Sequence, residues 1–255
     1  MEPILARANA RVLAQLSWSD LLVAFDFDGT LAPIVDEPRR AVMPPRTREL
    51  LERLCALYPC VVISGRAQGD VLKRTRGVGL REVIGNHGLE PWRQTDELVV
   101  LVRGWVRHLS RALAALPGVE IEDKGVSVAV HYRGCRQIKI ARQAILEAAA
   151  GLGPLRLVGG RMVVNLIPEG APHKGIALEA SRDRLGCDTA LYVGDDETDE
   201  DVFAMDEPGR LLGIRVGASS RSRAPFFIDS QPEVDRLIET LILLRAGGER
   251  RRVHS

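Results

Sequence analysis

Short apolar runs separated by helical patterns are the feature that most constrains the fold of this chain. The predicted strands are Leu21 to Phe25, Cys60 to Ile63, Glu82 to Ile84, Ala190 to Val193 and Leu211 to Val216. Apolar residues at helical spacing fill the segments between these runs. Strands that are apolar on both faces and alternate with helices are typical of a parallel sheet between two helical layers. The sequence therefore predicts an α/β protein built on a doubly wound parallel sheet.

The middle third of the chain follows a different pattern. One long amphipathic helix is predicted around residues 102–116, and two predicted hairpins follow it, with a second helix between them. Those segments are strands at 119–122 and 126–132, a helix at 136–149, and strands at 155–158 and 161–167. This order predicts a small α+β domain inserted into the parallel sheet. We expect residues 1–90 and 169–255 to form the core, and residues 91–168 to form an inserted cap domain.

Charge and composition limit the classes of partner. Thirty-five Lys and Arg residues face 34 Asp and Glu residues, for a formal net charge of +1. Such a balance argues against a nucleic-acid-binding surface and against a polybasic membrane anchor. The N-terminal segment carries Arg7, Arg11 and Asp20 where a signal peptide would be apolar. We therefore expect a cytoplasmic protein that acts on a small molecule; its oligomeric state stays open, and a monomer is compatible with the sequence.

The first predicted strand ends in a pair of carboxylates. Asp26 and Asp28 are two residues apart, and Gly29 follows them. Ligands of open parallel sheets bind at the carboxyl ends of the strands, where these residues lie. Asp26 could attack a phosphorus atom to give an aspartyl-phosphate, while Asp28 protonates the leaving oxygen and later deprotonates water. The alternative is an ordinary Asp-Gly turn at the surface.

Two further motifs suit a phosphoryl group. Ser64, Gly65 and Arg66 follow the second strand, and their hydroxyl and N–H groups could hold phosphoryl oxygens. Lys174 begins a predicted helix and could offset negative charge on both the nucleophile and the phosphoryl group. The alternatives are a helix N-cap for the serine and an exposed side chain for the lysine.

An acidic cluster follows the strand at Ala190 to Val193. It contains Asp195, Asp196 and Asp199, with further acids to residue 201. Carboxylates crowded at a strand end repel one another unless a cation is present, and an all-oxygen ligand set suits Mg²⁺. A first helical turn that complements the helix dipole would explain part of the cluster. It does not explain why Asp195 and Asp196 directly follow the strand.

Taken in order along the chain, these motifs resemble those of the haloacid dehalogenase superfamily of phosphotransferases. Three stretches narrow the resemblance to trehalose-6-phosphate phosphatases, namely residues 85–90, 122–133 and 194–203. The resemblance implies a Rossmann-like core with an α/β cap inserted between the serine and lysine motifs. It also implies catalytic roles for Asp26, Asp28, Ser64 and Lys174.

The same resemblance implies a metal site and a sugar site. Mg²⁺ would be held by the Asp26 carboxylate, the Asp28 backbone carbonyl and Asp195, with Asp196 or Asp199 orienting ligands or waters. In the family, the residues that match Lys124 and His87 help to bind the disaccharide. The remaining residues in matching substrate-binding motifs are Gly65, Arg66, Glu90, His131 and Arg133.

One stretch departs from the family pattern. The family carries a glutamate in a Glu-x-Arg-Pro segment of the cap, whereas this chain has Asn165, Leu166, Ile167 and Pro168. An asparagine still offers a donor and an acceptor to a sugar hydroxyl. The resemblance implies trehalose 6-phosphate as the substrate, and the departure at Asn165 makes the sugar less firmly specified than the chemistry. The alternatives are another glycosyl or pseudo-disaccharide phosphate, or a non-catalytic sugar-phosphate sensor.

Overall fold

The computed structural model describes residues 1–91, 96–160, 162–205 and 209–252, with side chains up to residue 247. The strands are β1 Glu2–Pro3, β2 Leu21–Phe25, β3 Cys60–Ile63, β4 Glu82–Ile84, β5 Glu120–Asp123, β6 Val128–His131, β7 Leu155–Gly160, β8 Val163–Pro168, β9 Thr189–Gly194, β10 Leu211–Val216 and β11 Phe226–Ile228. The α-helices are α1 Ala10–Leu16, α2 Pro45–Cys55, α3 Gln68–Arg74, α4 Asp96–Ala112, α5 Ile138–Ala150, α6 Lys174–Arg184, α7 Glu200–Phe203 and α8 Glu233–Arg252. None of the helices in these ranges combines the length and apolar character that a membrane span requires.

Seven strands form one sheet in the order β1-β11-β10-β9-β2-β3-β4. Every neighbouring pair in this sheet is parallel. Strand β2 lies between β9 and β3, so the segments that follow these three strands meet at one edge of the sheet. The prediction of a parallel α/β sheet is confirmed.

Both faces of β2 are buried, each in its own hydrophobic core. Leu21, Val23 and Phe25 pack into a core that includes residues of α1, α2 and α8. Leu22 and Ala24 pack into a second core with residues of α6 and α7. Side chains alternate along the strand, so successive residues pack against helices on opposite faces of the sheet. Both faces are therefore apolar, and the run from Leu21 to Phe25 contains no polar residue.

The chain divides into two compact units, Met1–Gly88 with His173–Ser255, and Leu89–Pro172. The second unit contains an antiparallel sheet in the order β5-β6-β8-β7. Val128, Val130, Val164 and Leu166 bury one face of this sheet against α4 and α5. Ala129 pairs with Asn165 on the neighbouring strand, and both point away from those helices because side chains alternate along a strand.

The structure differs from the predicted elements mainly at the ends of the chain. The predicted alternation stops at β10, whereas the structure adds β1, β11 and the long helix α8. Strand β1 has only two residues, and β11 has three and, unlike β4, follows no helical pattern, so the sequence marks neither as a strand. Helix α8 does leave a signal, since Leu237, Ile238, Leu241 and Ile242 follow helical spacing and are buried. Arg161, the first residue of one predicted strand, lies outside the described residues, and that strand begins at Val163.

Candidate active site

Three carboxylates meet where β2 and β9 end. The N–H of Asp26 donates to the carbonyl of Val193 over 2.8 Å, which continues the pairing of the two strands by one residue. This contact places Asp26 beside the start of the acidic cluster. Carboxylate oxygens of Asp26, Asp195 and Asp199 lie within 4.8 Å of one another. The structure therefore brings Asp26 together with two acids from a distant part of the sequence.

Lys174 is the cation of this cluster. Its Nζ lies 3.0 Å from Asp26 Oδ1 and 2.8 Å from Asp199 Oδ1, and its side chain is only 1% exposed. Lys174 is the first residue of α6, so the helix start delivers the ammonium to the sheet edge. Burial alone would lower the pKa of Lys174, but the carboxylates of Asp199 and Asp26 outweigh burial and raise it. The ammonium therefore stays charged and balances part of the negative charge.

Asp199 is held through both of its oxygens. Oδ1 accepts from Lys174 and from the hydroxyl of Tyr192, the latter over 2.6 Å. Oδ2 accepts from the backbone N–H of Asp196 over 2.9 Å. Gly194 makes room for this arrangement, because a Cβ there would lie 2.3 Å from Asp199 Cγ. The contacts of Asp199 are those of a group that orients Lys174.

Asp195 is held differently. Its Oδ1 is buried and accepts no hydrogen bond from the described residues. Its carboxylate packs against Gly29, where an added Cβ would lie 2.1 Å from Oδ2 and where the backbone is left-handed at φ +78°. Arg215 donates to the Asp195 carbonyl over 2.5 Å and to Glu200 over 3.0 Å, which fixes the loop after β9. A buried carboxylate oxygen without a donor suits a cation.

The crowding of acids changes their protonation. Burial, followed by repulsion from neighbouring carboxylates, raises the pKa of Asp195 to about 9. Burial also raises the pKa of Asp26 to about 8, although the charge of Lys174 opposes the shift. The single positive charge of Lys174 thus does not balance the negative charges of Asp26, Asp195 and Asp199. The cluster has the donor set and the excess of negative charge that a divalent cation requires.

Asp28 faces a different partner. Arg66 donates from Nε to Asp28 Oδ2 over 2.6 Å and from Nη2 to Asp28 Oδ1 over 2.7 Å. This two-point contact joins the motif after β3 to the motif after β2. The guanidinium, assigned from sequence to substrate binding, is engaged by a carboxylate that sequence assigns to proton transfer.

The loops after β3 and β4 are joined as well. The N–H of His87 donates to the Ser64 carbonyl over 3.0 Å, and the Ser64 hydroxyl accepts from the N–H of Arg66 over 3.2 Å. His87 has a positive φ of 59°, a conformation that is uncommon outside glycine and typical of functional sites. Gly65 is required here, since a Cβ would lie 2.4 Å from the His87 ring. The loops after β3 and β4 thus pack directly against each other, through Ser64, Gly65, Arg66 and His87.

The other predicted substrate residues belong to the second unit. His131 Nε2 lies 2.9 Å from Glu122 Oε2 on the neighbouring strand. Lys124 lies in the turn between β5 and β6, where its N–H donates to the Ser127 carbonyl over 3.0 Å. Asn165 is buried, and its Nδ2 donates to the Val158 carbonyl over 3.4 Å. Glu90 and Arg133 lie outside the strands of this unit, before α4 and after β6.

Sequence reasoning missed two residues that hold the acidic cluster. Tyr192 carries a polar hydroxyl in the middle of the apolar strand β9, and this hydroxyl donates to Asp199. Arg215 lies near the end of β10, where a charged residue interrupts an apolar run. Each is a polar group within a buried strand, and such groups usually have a partner. That signal could have pointed to both.

Solved structures share this fold. A trehalose-6-phosphate phosphatase related protein superimposes with a TM-score of 0.70 at 24% identity, over 89% of this chain and 99% of the other. The C-terminal domain of the C. albicans trehalose-6-phosphate phosphatase gives a TM-score of 0.71 at 21% identity, over 96% and 98% of the two chains. A haloacid dehalogenase-like hydrolase from Bacteroides thetaiotaomicron gives 0.57 at 16% identity, over 86% and 98%. The chain therefore shares its fold with a haloacid dehalogenase-like hydrolase and with trehalose-6-phosphate phosphatases.

Sequence comparison narrows this class. The sequence model of the trehalose-phosphatase family matches residues 24–232. Trehalose-phosphate phosphatases of Mycolicibacterium paratuberculosis and Mycobacterium tuberculosis H37Rv are 36% and 35% identical to this chain, over 76% and 90% of its length. The chain spans 53% and 64% of those relatives. The chain belongs to the trehalose-phosphatase family, a family of phosphomonoester hydrolases.

Proposed function

We propose that this chain is a Mg²⁺-dependent phosphatase that hydrolyses trehalose 6-phosphate through an aspartyl-phosphate. The observation that carries the proposal is the group of Asp26, Lys174, Asp195 and Asp199 at the carboxyl edge of the sheet, in which Asp195 is half-buried and the other three are buried. A carboxylate paired with a buried ammonium and crowded by further acids suits attack on a phosphoryl group. The names of the curated relatives support the choice of trehalose phosphate as substrate.

The first half-reaction transfers the phosphoryl group to the protein. A carboxylate oxygen of Asp26 forms a bond to phosphorus while the bond from phosphorus to the sugar oxygen breaks. Asp28 gives its proton to that sugar oxygen, so trehalose leaves as a neutral alcohol. We assign Lys174 and the Ser64 hydroxyl to the phosphoryl oxygens, where the ammonium would offset their charge and the hydroxyl would donate a hydrogen bond.

The second half-reaction restores the enzyme. Asp28, now a carboxylate, takes a proton from a water molecule as the water oxygen attacks phosphorus. The bond between phosphorus and the Asp26 oxygen breaks, and inorganic phosphate leaves. One carboxyl group thus serves first as acid and then as base, which restores its proton for the next cycle.

A divalent cation fits the acidic cluster. Its ligands would be carboxylate oxygens of Asp26 and Asp195 and the backbone carbonyl of Asp28. The unpartnered Oδ1 of Asp195 and the raised pKa values of Asp26 and Asp195 are the observations that favour this assignment. When bound, the ion would supply positive charge that keeps Asp26 ionised and offsets the charge of the phosphoryl group. Mg²⁺ is the proposed ion because all donors are oxygens.

We assign sugar recognition to residues 91–168 as a cap domain. Glu122, Lys124, His131 and Asn165 lie on or beside one antiparallel sheet. Asn165 lies on the face of this sheet opposite α4 and α5, and we assign its amide to a sugar hydroxyl on that face. An alternative substrate, another glycosyl phosphate, is favoured by a single observation, the neutral Asn165 in place of the family's glutamate.

Phosphate release from a panel of sugar phosphates tests the proposal. The panel contains trehalose 6-phosphate, glucose 6-phosphate and sucrose 6-phosphate, with Mg²⁺ and with EDTA. We expect release from trehalose 6-phosphate to exceed release from the other two, to require Mg²⁺ and to vanish in Asp26→Asn. Activity of Asp26→Asn near that of the unaltered protein would refute the covalent mechanism, and full activity in EDTA would refute the metal.

A further inference from the structure

The two hydrogen bonds from Arg66 to Asp28, called the fork below, indicate what this arginine does. Its Nε and Nη2 donate to the two oxygens of Asp28 over 2.6 and 2.7 Å. We propose that Arg66 is a positioning residue that fixes the direction of the Asp28 carboxyl group and acts on the reaction through it. The inference rests on the proposed function, in which Asp28 transfers the proton.

Arg66 is itself held in place from several sides. Its Nη1 donates to Asp70 over 2.8 Å, and its Nη2 donates to the carbonyl of Pro38 over 2.6 Å. The guanidinium carbon lies 5.7 Å from the centre of the Phe27 ring. Only 13% of the Arg66 side chain is exposed, against 40% for Asp28. The anchored partner is therefore Arg66, and the partner whose direction is set is Asp28.

A planar fork fixes a carboxylate more narrowly than a single charge does. Two parallel N–H bonds determine both the position and the plane of the carboxylate, whereas an ammonium determines neither plane nor rotation. Proton transfer depends on that geometry, because the acid must lie within hydrogen-bond reach of the leaving oxygen. Loss of the fork should therefore slow the step in which Asp28 acts as acid.

Arg74 offers a matched control. It donates to Asp70 over 2.9 Å, and its other nitrogens donate to the carbonyls of Ala41 and Arg39. It belongs to the same network as Arg66 and has no contact with Asp28 among its described partners. A purely structural role of the network would make loss of Arg74 resemble loss of Arg66. A positioning role would not.

The acid role of Asp28 can be measured by changing the leaving group of the substrate. Phenolate is a poor leaving group that needs a proton, whereas p-nitrophenolate leaves without one, and the two aryl phosphates are close in shape. Release of the phenol in a single turnover, with enzyme in excess and Mg²⁺ present, measures the first half-reaction only. The decisive quantity is the ratio of the p-nitrophenyl phosphate rate to the phenyl phosphate rate.

We expect Arg66→Ala and Asp28→Asn each to raise this ratio by about tenfold or more, the low end of what a positioned acid contributes. Arg66→Lys should raise it less, and Arg74→Ala should leave it within about twofold of the unaltered protein. Adding Arg66→Ala to Asp28→Asn should raise it no further, because the two residues act as one unit. Far-ultraviolet circular dichroism checks that each variant folds, and Arg66→Lys carries the test if Arg66→Ala does not fold.

Three results would overturn the inference. Equal losses on both aryl phosphates in Arg66→Ala or Arg66→Lys would mean that the arginine does not act through Asp28. A further rise in the double variant would mean that it acts elsewhere. An unaltered protein that hydrolyses neither aryl phosphates nor sugar phosphates would instead refute the proposed function, and the inference with it.

Discussion

Lys174 donates to Asp199 over 2.8 Å at a point where neither side chain reaches solvent. A buried ion pair of this kind adds little stability over apolar packing, but removing one partner leaves an uncompensated charge. The same ammonium also pairs with Asp26. Its removal therefore leaves two buried carboxylates without their cation.

Lys174→Met should destabilise the protein by about 3–5 kcal/mol, the usual cost of breaking a buried pair, and should abolish turnover. Urea unfolding measures the first effect, and phosphate release measures the second. Lys73→Met is the control, because Lys73 is exposed on α3 and should change the free energy of unfolding by no more than about 0.5 kcal/mol. A Lys174→Met protein as stable as this control would contradict the argument.

The raised pKa values of Asp26 and Asp195 predict how stability depends on pH without metal. In the unfolded chain both carboxyls titrate near their ordinary value of 3.8, whereas in the folded protein they titrate near 8 and 9. Between these limits the folded state holds more protons, so the free energy of unfolding decreases as pH rises. In EDTA, the melting temperature should therefore fall from pH 5.5 to pH 8.5.

Mg²⁺ should oppose this loss, since a cation competes with protons for the same oxygens. The rise in melting temperature on adding Mg²⁺ should be larger at pH 8.5 than at pH 5.5. Asp195→Asn removes one titrating group and one ligand, so it should flatten the pH dependence and reduce the effect of Mg²⁺. A melting temperature that rises with pH in EDTA would contradict the pKa assignment.

Gly29 is the glycine on which the geometry of Asp195 depends. In Gly29→Ala the new Cβ would lie 2.1 Å from Asp195 Oδ2, so the carboxylate must move. We expect phosphate release to fall by at least about 100-fold, because small displacements of a catalytic group cost that much. The Mg²⁺ concentration needed for half-maximal activity should rise as well.

Gly77→Ala is the control that separates the displacement of Asp195 from the backbone strain of an alanine at positive φ. Gly77 has a similar φ of +87°, and a Cβ there meets no described atom within 4 Å. It should lower stability by about 1 kcal/mol, as a left-handed alanine does, and leave activity unchanged. Gly29→Ala activity equal to that of Gly77→Ala would show that Asp195 tolerates displacement.

Sequence predicts the position of a site residue best where that residue directly follows a strand or begins a helix. The apolar strand before Asp26 and the helix start at Lys174 predict that both residues lie at the carboxyl edge of the sheet, whereas their catalytic roles come from the family resemblance and stay predictions. Contacts between distant segments were not accessible in this way. No spacing predicts that Arg66 meets Asp28, or that Tyr192 meets Asp199 rather than packing as an aromatic side chain. These pairings arise from strand order, which periodicity does not encode.

Lys124 should act on the sugar and not on the phosphoryl group. We expect Lys124→Ala to lower kcat/KM for trehalose 6-phosphate by at least about tenfold, the cost of roughly one lost charged hydrogen bond. Hydrolysis of p-nitrophenyl phosphate, which has no sugar, should change by less than about twofold. Lys139→Ala, at an exposed position on α5, should alter neither. Equal losses on both substrates would place Lys124 in the folding of its domain.

Asn165 marks the departure from the family pattern, and its contacts predict the effect of restoring a glutamate. Its Nδ2 donates to the Val158 carbonyl, which leaves Oδ1 as the acceptor for a sugar hydroxyl. A carboxylate accepts more strongly than an amide, by about 1 kcal/mol. Asn165→Glu should therefore raise kcat/KM for trehalose 6-phosphate by about fivefold. It should also lower stability by about 1–3 kcal/mol, because a buried carboxylate would face the Val158 carbonyl.

Asn165→Gln is the matched control, since glutamine has the length of glutamate without its charge. If charge is what the sugar hydroxyl responds to, Asn165→Gln should not show the fivefold gain. Equal gains in the two variants would mean that reach, and not charge, limits recognition at this position. If both variants leave trehalose 6-phosphate a poor substrate while the unaltered protein hydrolyses another glycosyl phosphate at least about tenfold better, the trehalose assignment fails. The phosphatase assignment would stand in that case, because the proposed reaction places Asp26 and Lys174 on the phosphoryl group and Asp195 on the metal, and assigns none of them to the sugar.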